Sequence, residues 1–332
     1  MYDVTKRRAD GRAYSMCAVV LCCAISSIAS AQDKPAGYPL RPIRIIVAVQ
    51  PGAGGDLMAR AAGQMLSERL GQSVVIDNRP GAGGLIATEL VTRAAPDGHT
   101  ILSQGETVTI QAVMKRLPID IMKALDPVVS TSTQPYVLLA HPGLPVSSIK
   151  ELIAYSKKET VTYSGGAGLA GTVHLGMERF SMLSGARLTF VPYKGSAPSI
   201  TAAMGGEINL AAGSSIAATA AIRTGKLRAL ANLGPTRIAA LPDLPTVAEQ
   251  GYPDFKITNR YNLYLPAGTP RPITLAINRI VGEGMHAPQM AQRLAGDGSQ
   301  PAERMTPEQL RAIIEREYVE IAQVVKQLNI KM

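Results

Sequence analysis

The chain has 332 residues and is basic, with 34 Lys and Arg against 25 Asp and Glu and a formal net charge of +9. A chain of this length can form two domains, and its charge suits anionic ligands or an anionic surface. Because the basic residues are scattered and the chain has no Trp and only three Phe, neither a nucleic-acid surface nor an aromatic sugar-binding cleft is expected.

The N-terminus has the composition of an export signal. Basic residues between 6 and 12 precede an apolar stretch, 16–28, and the small residues Ala29-Ser30-Ala31 follow. This pattern is typical of a secretory signal peptide, 1–31, since ~13 apolar residues are too few to span a bilayer. All three cysteines lie in this segment, so disulfides and cysteine–metal sites are not expected in the mature chain. We expect a bacterial periplasmic protein.

Short β-branched runs alternate with amphipathic helices in the first part of the mature chain. Strands are predicted at 43–49, 73–78 and 99–104, and the intervening helices at 56–70 and 84–95. Glycines and the Pro96-Asp97-Gly98 turn separate these segments. The alternation predicts a parallel sheet with helices on its faces.

A second series of the same kind begins near Pro135. Its strands are predicted at 136–142, 161–166, 188–193, 207–213 and 226–233, and a last strand at 255–266 leads into a helical tail. Because the tail is too long for the second series alone, we expect two α/β lobes, 38–134 plus 261–332 and 135–260. Strands near 130–140 and 256–264 would join them. A ligand would bind beyond the carboxyl ends of the strands, in the cleft between the lobes.

Two glycine-rich turns fall at that edge, Gln50 to Asp56 and Ser164 to Thr172. Backbone N–H groups at such turns can hold an anion, whereas the structural alternative for the first is a tight turn with Asp56 as a helix cap. The second PGAGG copy, 80–84, is interpreted as a turn between a strand and a helix. GAGLAG at 166–171 matches a dinucleotide fingerprint, but the acidic residue expected after the next strand is missing. No cofactor is therefore expected.

Residues suited to catalysis are scarce. The four histidines are isolated, and the chain contains no H-E-x-x-H pair, no G-x-S-x-G elbow and no calcium-loop segment. Neither a catalytic nor a metal site is therefore expected. His174, just inside a predicted helix, is interpreted mainly as a packing residue, and its functional alternative is to orient the second turn.

Several longer motifs, in order along the chain, carry a family resemblance. They are PGAGGD (51–56), LSERLGQSVVIDNRPGAGG (66–84), AAPDGHT (94–100), VPYKGSAP (191–198), LPDLPTVAEQGYP (241–253) and LPAGTP (265–270). With them the chain resembles the periplasmic solute-binding proteins of tripartite tricarboxylate transporters, over essentially the whole mature chain. The resemblance implies a type II periplasmic binding fold, with two doubly wound α/β lobes joined by crossover strands, that closes on a small carboxylate.

The resemblance also implies that two loops hold one ligand carboxylate through backbone amides, hydroxyls and ordered water. Carried over by position, the ligand-binding residues are Gln50, Gly52, Ala53, Gly54, Gly55 and Asp56, then Ser164, Gly165, Gly166, Ala167, Gly168, Gly171, Thr172 and His174, and finally Gly213, Ser214 and Arg260. Many relatives carry an acidic residue near Gly213, so an amino-acid ligand is less expected here. Arg260 stands where relatives commonly have Trp, and our hypothesis is that it meets a second carboxylate of a di- or tricarboxylate.

The expected function is that of a monomeric solute-binding protein, not an enzyme, which delivers a small organic carboxylate to the membrane permease subunits of such a transporter. Two alternatives stay open. One is an exported enzyme that acts on a carboxylate or an ester. The other is a binding protein that serves a sensor rather than a permease.

Overall fold

The structure is a computed structural model that describes residues 35–165, 171–193, 196–239, 241–296 and 298–327. The expected signal peptide, 1–31, and the site candidates Gly166, Ala167 and Gly168 lie outside these ranges. Across the described ranges, no helix combines the length and apolarity needed to cross a membrane. Within the same ranges, no group of His, Cys, Asp and Glu is placed to hold a metal ion.

The described chain folds as alternating strands and helices. The strands are β1 (Ile43–Val47), β2 (Val74–Asn78), β3 (Thr100–Gln104), β4 (Leu125–Ala140), β5 (Val161–Gly165), β6 (Leu188–Phe190), β7 (Leu210–Ser214), β8 (Arg228–Asn232), β9 (Thr258–Pro266) and β10 (Gln300–Pro301). The helices are α1 (Gly54–Leu70), α2 (Leu85–Thr92), α3 (Thr107–Val113), α4 (Ile121–Ala124), α5 (Ile149–Ser156), α6 (Thr172–Ser184), α7 (Ser196–Met204), α8 (Ser215–Arg223), α9 (Arg271–Met285), α10 (Pro288–Gly296) and α11 (Pro307–Gln327).

These strands form one mixed sheet in the order β2-β1-β3-β9-β4-β7-β5-β6, and β8 and β10 also pair with β4. β1 lies between β2 and β3 and is parallel to both, and β5 is likewise parallel to β6 and β7. The predicted parallel pairing is therefore confirmed for these six strands, whereas the end of β4 and β8, which the sequence places in the second series, pair antiparallel. Helices α3 and α4, between β3 and β4, were not among the predicted elements.

Two long antiparallel strands, β4 and β9, cross from one unit to the other. They pair from Leu125↔Pro266 to Pro135↔Thr258. Residues 262–264 of β9 also pair with β3, whereas the last residues of β4 pair with β7 and β8. The crossing strands predicted near 130–140 and 256–264 are thus confirmed.

Separate hydrophobic cores lie on either side of these crossing strands. In the first unit, Ile45 of β1 and Leu66 of α1 pack with α9. In the second unit, α5 and α6 pack on β5 around buried side chains such as Phe180. On this ground we propose the division into a first lobe, 38–134 plus 261–332, and a second lobe, 135–260.

The C-terminal helix α11 reaches from the first lobe to the second. Its Leu310 lies in a core of the first lobe, and Val324 near its end packs with Leu175 of α6. An ion pair between Arg179 and Glu320, at 3.2 Å, also joins α6 to α11. A change in the angle between the lobes must therefore also move this contact.

Beside α11, charged side chains lie against one face of β9. Arg260 donates to both carboxylate oxygens of Glu317, at 2.6 and 2.5 Å. Burial and the negative charge of Glu317 raise the pKa of Glu106 to about 8, against the opposite effects of Arg260, of a hydrogen bond from Thr258 and of Lys256. The Glu106 carboxyl is therefore protonated more readily in the folded protein than an exposed glutamate is.

Glu106→Gln is expected to remove a pH-dependent loss of stability. A carboxyl whose pKa rises on folding from 4.5 to about 8 binds more protons in the folded than in the unfolded protein. Its contribution to the free energy of unfolding is therefore complete below pH 4.5 and is lost as the pH rises through 8. Thermal unfolding measured from about pH 5 to about pH 9 should show the variant gaining on the wild type as the pH rises. Exposed Glu68→Gln on α1 is the control, and a pH-independent difference for Glu106→Gln would contradict the assignment.

Candidate functional site

A cavity of about 180 Å³ lies between the two lobes, beside the crossing strands. Its walls come from the β1–α1 turn, the first turns of α1, the crossing parts of β4 and β9, the start of α8 and the loop before β10. The lining residues are Gly52, Gly54, Leu57, Met58, Ser132, Gln134, Ser214, Tyr261 and Ser299. None of these residues is charged, so the cavity offers hydroxyl, amide and backbone hydrogen bonds.

The N-terminus of α1 opens into this cavity under the ring of Tyr261. The Tyr261 hydroxyl oxygen accepts a hydrogen bond from Asn259 Nδ2 at 2.7 Å. A Cβ atom would lie 2.9 Å from that hydroxyl at Gly54, and 3.0 Å from the tyrosine ring at Gly55. Glycine is therefore needed at both positions because the ring packs directly on the helix start. The first N–H groups of a helix lack intrahelical acceptors and carry partial positive charge, which suits an anion.

Asp56 acts as an internal anion that fixes this turn. The residue is 1% exposed, and its carboxylate accepts from the Gly52 N–H at 2.8 Å, Arg60 Nε at 2.9 Å and Asn78 Nδ2 at 2.9 Å. Although burial opposes ionisation, these hydrogen bonds and the charge of Arg60 hold the pKa of Asp56 below its ordinary value. Asp56 does not cap α1, which begins earlier at Gly54. Its carboxylate stabilises the turn, and the Gly52 N–H already donates to it within the protein.

The second predicted loop is described only at its two ends. Ser164 is fully buried, and its hydroxyl oxygen accepts from Ser199 Oγ at 3.0 Å. Gly165 has a φ of 155°, and a Cβ atom there would lie 2.4 Å from the Ala212 carbonyl oxygen. Gly171 is the N-cap of α6. That this loop faces the first one across the cleft stays a prediction.

Thr172 and His174, at the start of α6, do not line the cavity beside the crossing strands. Thr172 lines a smaller cavity of about 100 Å³ together with Glu106 and Glu317. His174 packs on Phe190 with ring centroids 4.1 Å apart, and burial lowers its pKa. These contacts favour the packing interpretation of His174.

Two further candidates lie at the end of β7. Ser214 lines the cavity, and as the N-cap of α8 its side chain accepts from the Ala217 N–H. Gly213 packs closely against Ile200 instead, and a Cβ atom at position 213 would lie only 2.6 Å from the Ile200 Cδ1. Ser214 is thus the predicted residue that brings the second lobe to the cavity.

In the first turn, Gln50 and Ala53 hold the backbone together, since the Ala53 N–H donates to the Gln50 carbonyl at 3.2 Å. Of the predicted site residues that the structure describes, Gly52, Gly54 and Ser214 lie at the cavity wall. Gly55 lies directly behind them under the tyrosine ring. The site is therefore built partly from the predicted turn and partly from residues that the sequence motifs do not single out.

The hypothesis that Arg260 meets a ligand carboxylate is not supported. Successive residues of a strand point to opposite faces, and Tyr261 lines the cavity, so Arg260 points to the other face of β9. There it is 8% exposed and paired with Glu317. Its guanidinium thus already has a carboxylate partner within the protein.

Four polar cavity residues lie outside the predicted set: Ser132, Gln134, Tyr261 and Ser299. The polar run STSTQ, 130–134, indicates site residues in the sequence, because a central strand covered on both faces is normally apolar. Tyr261 has no such signal, since its face depends on the register of β9.

Asp56→Asn is expected to destabilise the protein by about 1–3 kcal/mol at pH 7, because buried donors lose a charged acceptor. Since the pKa of Asp56 is lowered on folding from 3.8, its contribution is present above that pH and is lost as the pH falls below it. The variant and the wild type should therefore converge in acid. Urea unfolding measures the difference, with Glu68→Gln on the same helix expected to stay within about 0.5 kcal/mol. Equal stability of Asp56→Asn and wild type at pH 7 would contradict this role.

The chain matches the family described as tripartite tricarboxylate transporter family receptor over residues 58–330. Among curated proteins, it is 35% identical to BugT of Bordetella pertussis over 300 residues, which cover 89% of this chain and 91% of that protein. The match thus extends over nearly the whole of both proteins.

Solved structures of similar proteins share the fold. Rpa4515 of R. palustris, with adipate, has a TM-score of 0.74 and 30% identity, covering 87% of this chain and 97% of that one. MatC from Rhodopseudomonas palustris, with bound malate, has a TM-score of 0.71 and 27% identity, covering 87% of this chain and all of that one. The periplasmic-binding-protein fold expected from the sequence is thereby confirmed. The chain belongs to the tripartite tricarboxylate transporter family of receptors.

Proposed function

We propose that the protein is a periplasmic solute-binding receptor that holds a small organic carboxylate between its two lobes for delivery to a membrane transporter. The observation that carries this proposal is the cavity between the lobes into which the N-terminus of α1 opens. Backbone N–H groups and the helix dipole favour a negatively charged oxygen there. The adipate and malate in similar proteins are both dicarboxylates, which supports this ligand class.

Capture would work through closure of the lobes about β4 and β9. A small change in the twist of these strands between the lobes swings one lobe toward the other. The ligand would then contact the start of α1 and Ser214 at the same time. Since only the closed form makes both sets of contacts, their free energy shifts the equilibrium toward closure.

Binding is favoured over catalysis by the groups at the cavity wall. An enzyme acting on a carboxylate or an ester would need an acid, a base or an activated nucleophile beside the cavity. The lining residues in the described part of the chain are Gly, Leu, Met, Ser, Gln and Tyr, and His174 is packed on Phe190. We therefore propose a monomeric binding protein, without a cofactor, rather than an exported enzyme.

The proposed partners are the membrane permease subunits of a tripartite tricarboxylate transporter. The family match supports this choice. A sensor that reads the closed form is the alternative, and the genes beside this one distinguish the two.

The purified mature protein is expected to gain thermal stability from organic acids. A ligand at about 100 times its dissociation constant adds about 2.7 kcal/mol to the free energy of unfolding. Melting should be followed with malate, adipate and citrate, and with glucose and putrescine as controls that lack a carboxylate. If no organic acid raises the Tm above these controls, the proposed ligand class is wrong.

Export provides a separate test of the proposed location. The full chain, expressed in a Gram-negative host, should reach the periplasm with Gln32 at its N-terminus, because the small residues at 29 and 31 fit the signal peptidase. N-terminal sequencing of the periplasmic fraction checks this, with Ala31→Arg as the variant expected to block processing. Recovery of the uncleaved chain from the cytoplasm would contradict it.

A further inference from the structure

We propose that the hydroxyls of Tyr261 and Ser132 form a subsite that donates two hydrogen bonds to one carboxylate of the ligand. Ser132 of β4 is paired with Tyr261 of β9 across the crossing strands, and both residues line the cavity between the lobes. This inference rests on the proposed function. It adds two ligand-selecting side chains on the hinge strands, outside the glycine-rich turns.

The hydrogen bonding of Tyr261 leaves its hydroxyl proton available to an acceptor in the cavity. A tyrosine hydroxyl has one proton to donate and an oxygen that accepts. The oxygen accepts from Asn259 Nδ2 at 2.7 Å, so the proton must point away from this N–H group. Burial raises the pKa of Tyr261, so the phenol keeps this proton at neutral pH and acts as a donor.

Ser132 is the second donor, and it differs from its neighbours on β4. Ser130 Oγ donates to Asn262 Oδ1 at 2.6 Å, and Thr131 Oγ1 donates to the Tyr261 carbonyl at 3.1 Å. The Ser132 hydroxyl is buried, with 1% of the residue exposed, and finds no partner in the described part of the chain. Because a buried hydroxyl without a partner costs free energy, its position at the cavity wall points to an acceptor supplied by the ligand.

The acceptor that fits these donors best is an oxygen with negative charge. Both hydroxyls lie at the cavity into which the 17-residue helix α1 directs its positive end. Arg60, a cation on α1, is paired with Asp56 at 2.9 Å, and no lining residue in the described part of the chain is charged. An amine would find no carboxylate here, whereas a carboxylate accepts both bonds with the added strength of its charge.

Binding measurements with two conservative variants test the subsite. Tyr261→Phe and Ser132→Ala each remove one hydroxyl and leave the surrounding packing in place. Malate and adipate are the probes in isothermal titration calorimetry. Each variant is expected to bind the acid about tenfold more weakly than the wild type binds it. If Tyr261→Phe does not fold, Ser132→Ala decides the matter alone.

Two neighbouring positions provide matched controls. Tyr264→Phe removes a buried tyrosine hydroxyl that accepts from Asn262 at 2.9 Å, and Ser130→Ala removes the serine hydroxyl that bonds the same residue. Neither side chain lines the cavity. Both controls should keep the affinity within about twofold of the wild type, even where the Tm falls.

The outcomes separate this subsite from the proposed function. Unchanged affinity in both cavity variants, with a wild type that binds the acid, overturns the subsite alone. Tighter binding by Tyr261→Phe also overturns it, because the hydroxyl would then hinder the ligand rather than hold it. A wild type that binds neither these two acids nor citrate overturns the proposed ligand class and the subsite together.

Discussion

The start of α1 is held in place by the ring of Tyr261 on the crossing strand β9. This ring leaves no room for a Cβ atom at Gly54 or Gly55. The glycine-rich turn is therefore packed directly on β9, one of the two strands that cross between the proposed lobes. One side chain thus links the crossing strands to the helix end that faces the cavity.

The two faces of β9 differ in charge. On one face Arg260 is paired with Glu317, close to Glu106, and α11 continues from there to contact the second lobe. Buried charges need partners, so this cluster restricts where α11 can lie relative to the hinge. On the other face the cavity wall is uncharged, and an anion there gains its contacts from hydroxyls and a helix end. β9 thus separates a cluster of charged side chains from an uncharged cavity wall.

The features that the sequence predicts correctly are local. Alternating strands and helices, the crossing strands and the turn before α1 follow from periodicity and turn residues within short windows. Arg260 and Tyr261 show where such reasoning stops, because a one-residue difference in strand register exchanges the two faces. The partner of Arg260, Glu317, is 57 residues away. Asp56 is similar, since its role depends on Asn78 from a neighbouring strand.

A crystal structure of the protein with a bound organic acid would show where the carboxylate is held. One ligand carboxylate is expected at the N-terminus of α1, with oxygens within about 3 Å of the Gly54 nitrogen, the Tyr261 hydroxyl and the Ser132 hydroxyl. The second lobe should close over it through Ser214. A ligand bound instead beside Glu106 and Thr172, in the smaller cavity, would contradict binding at the start of α1.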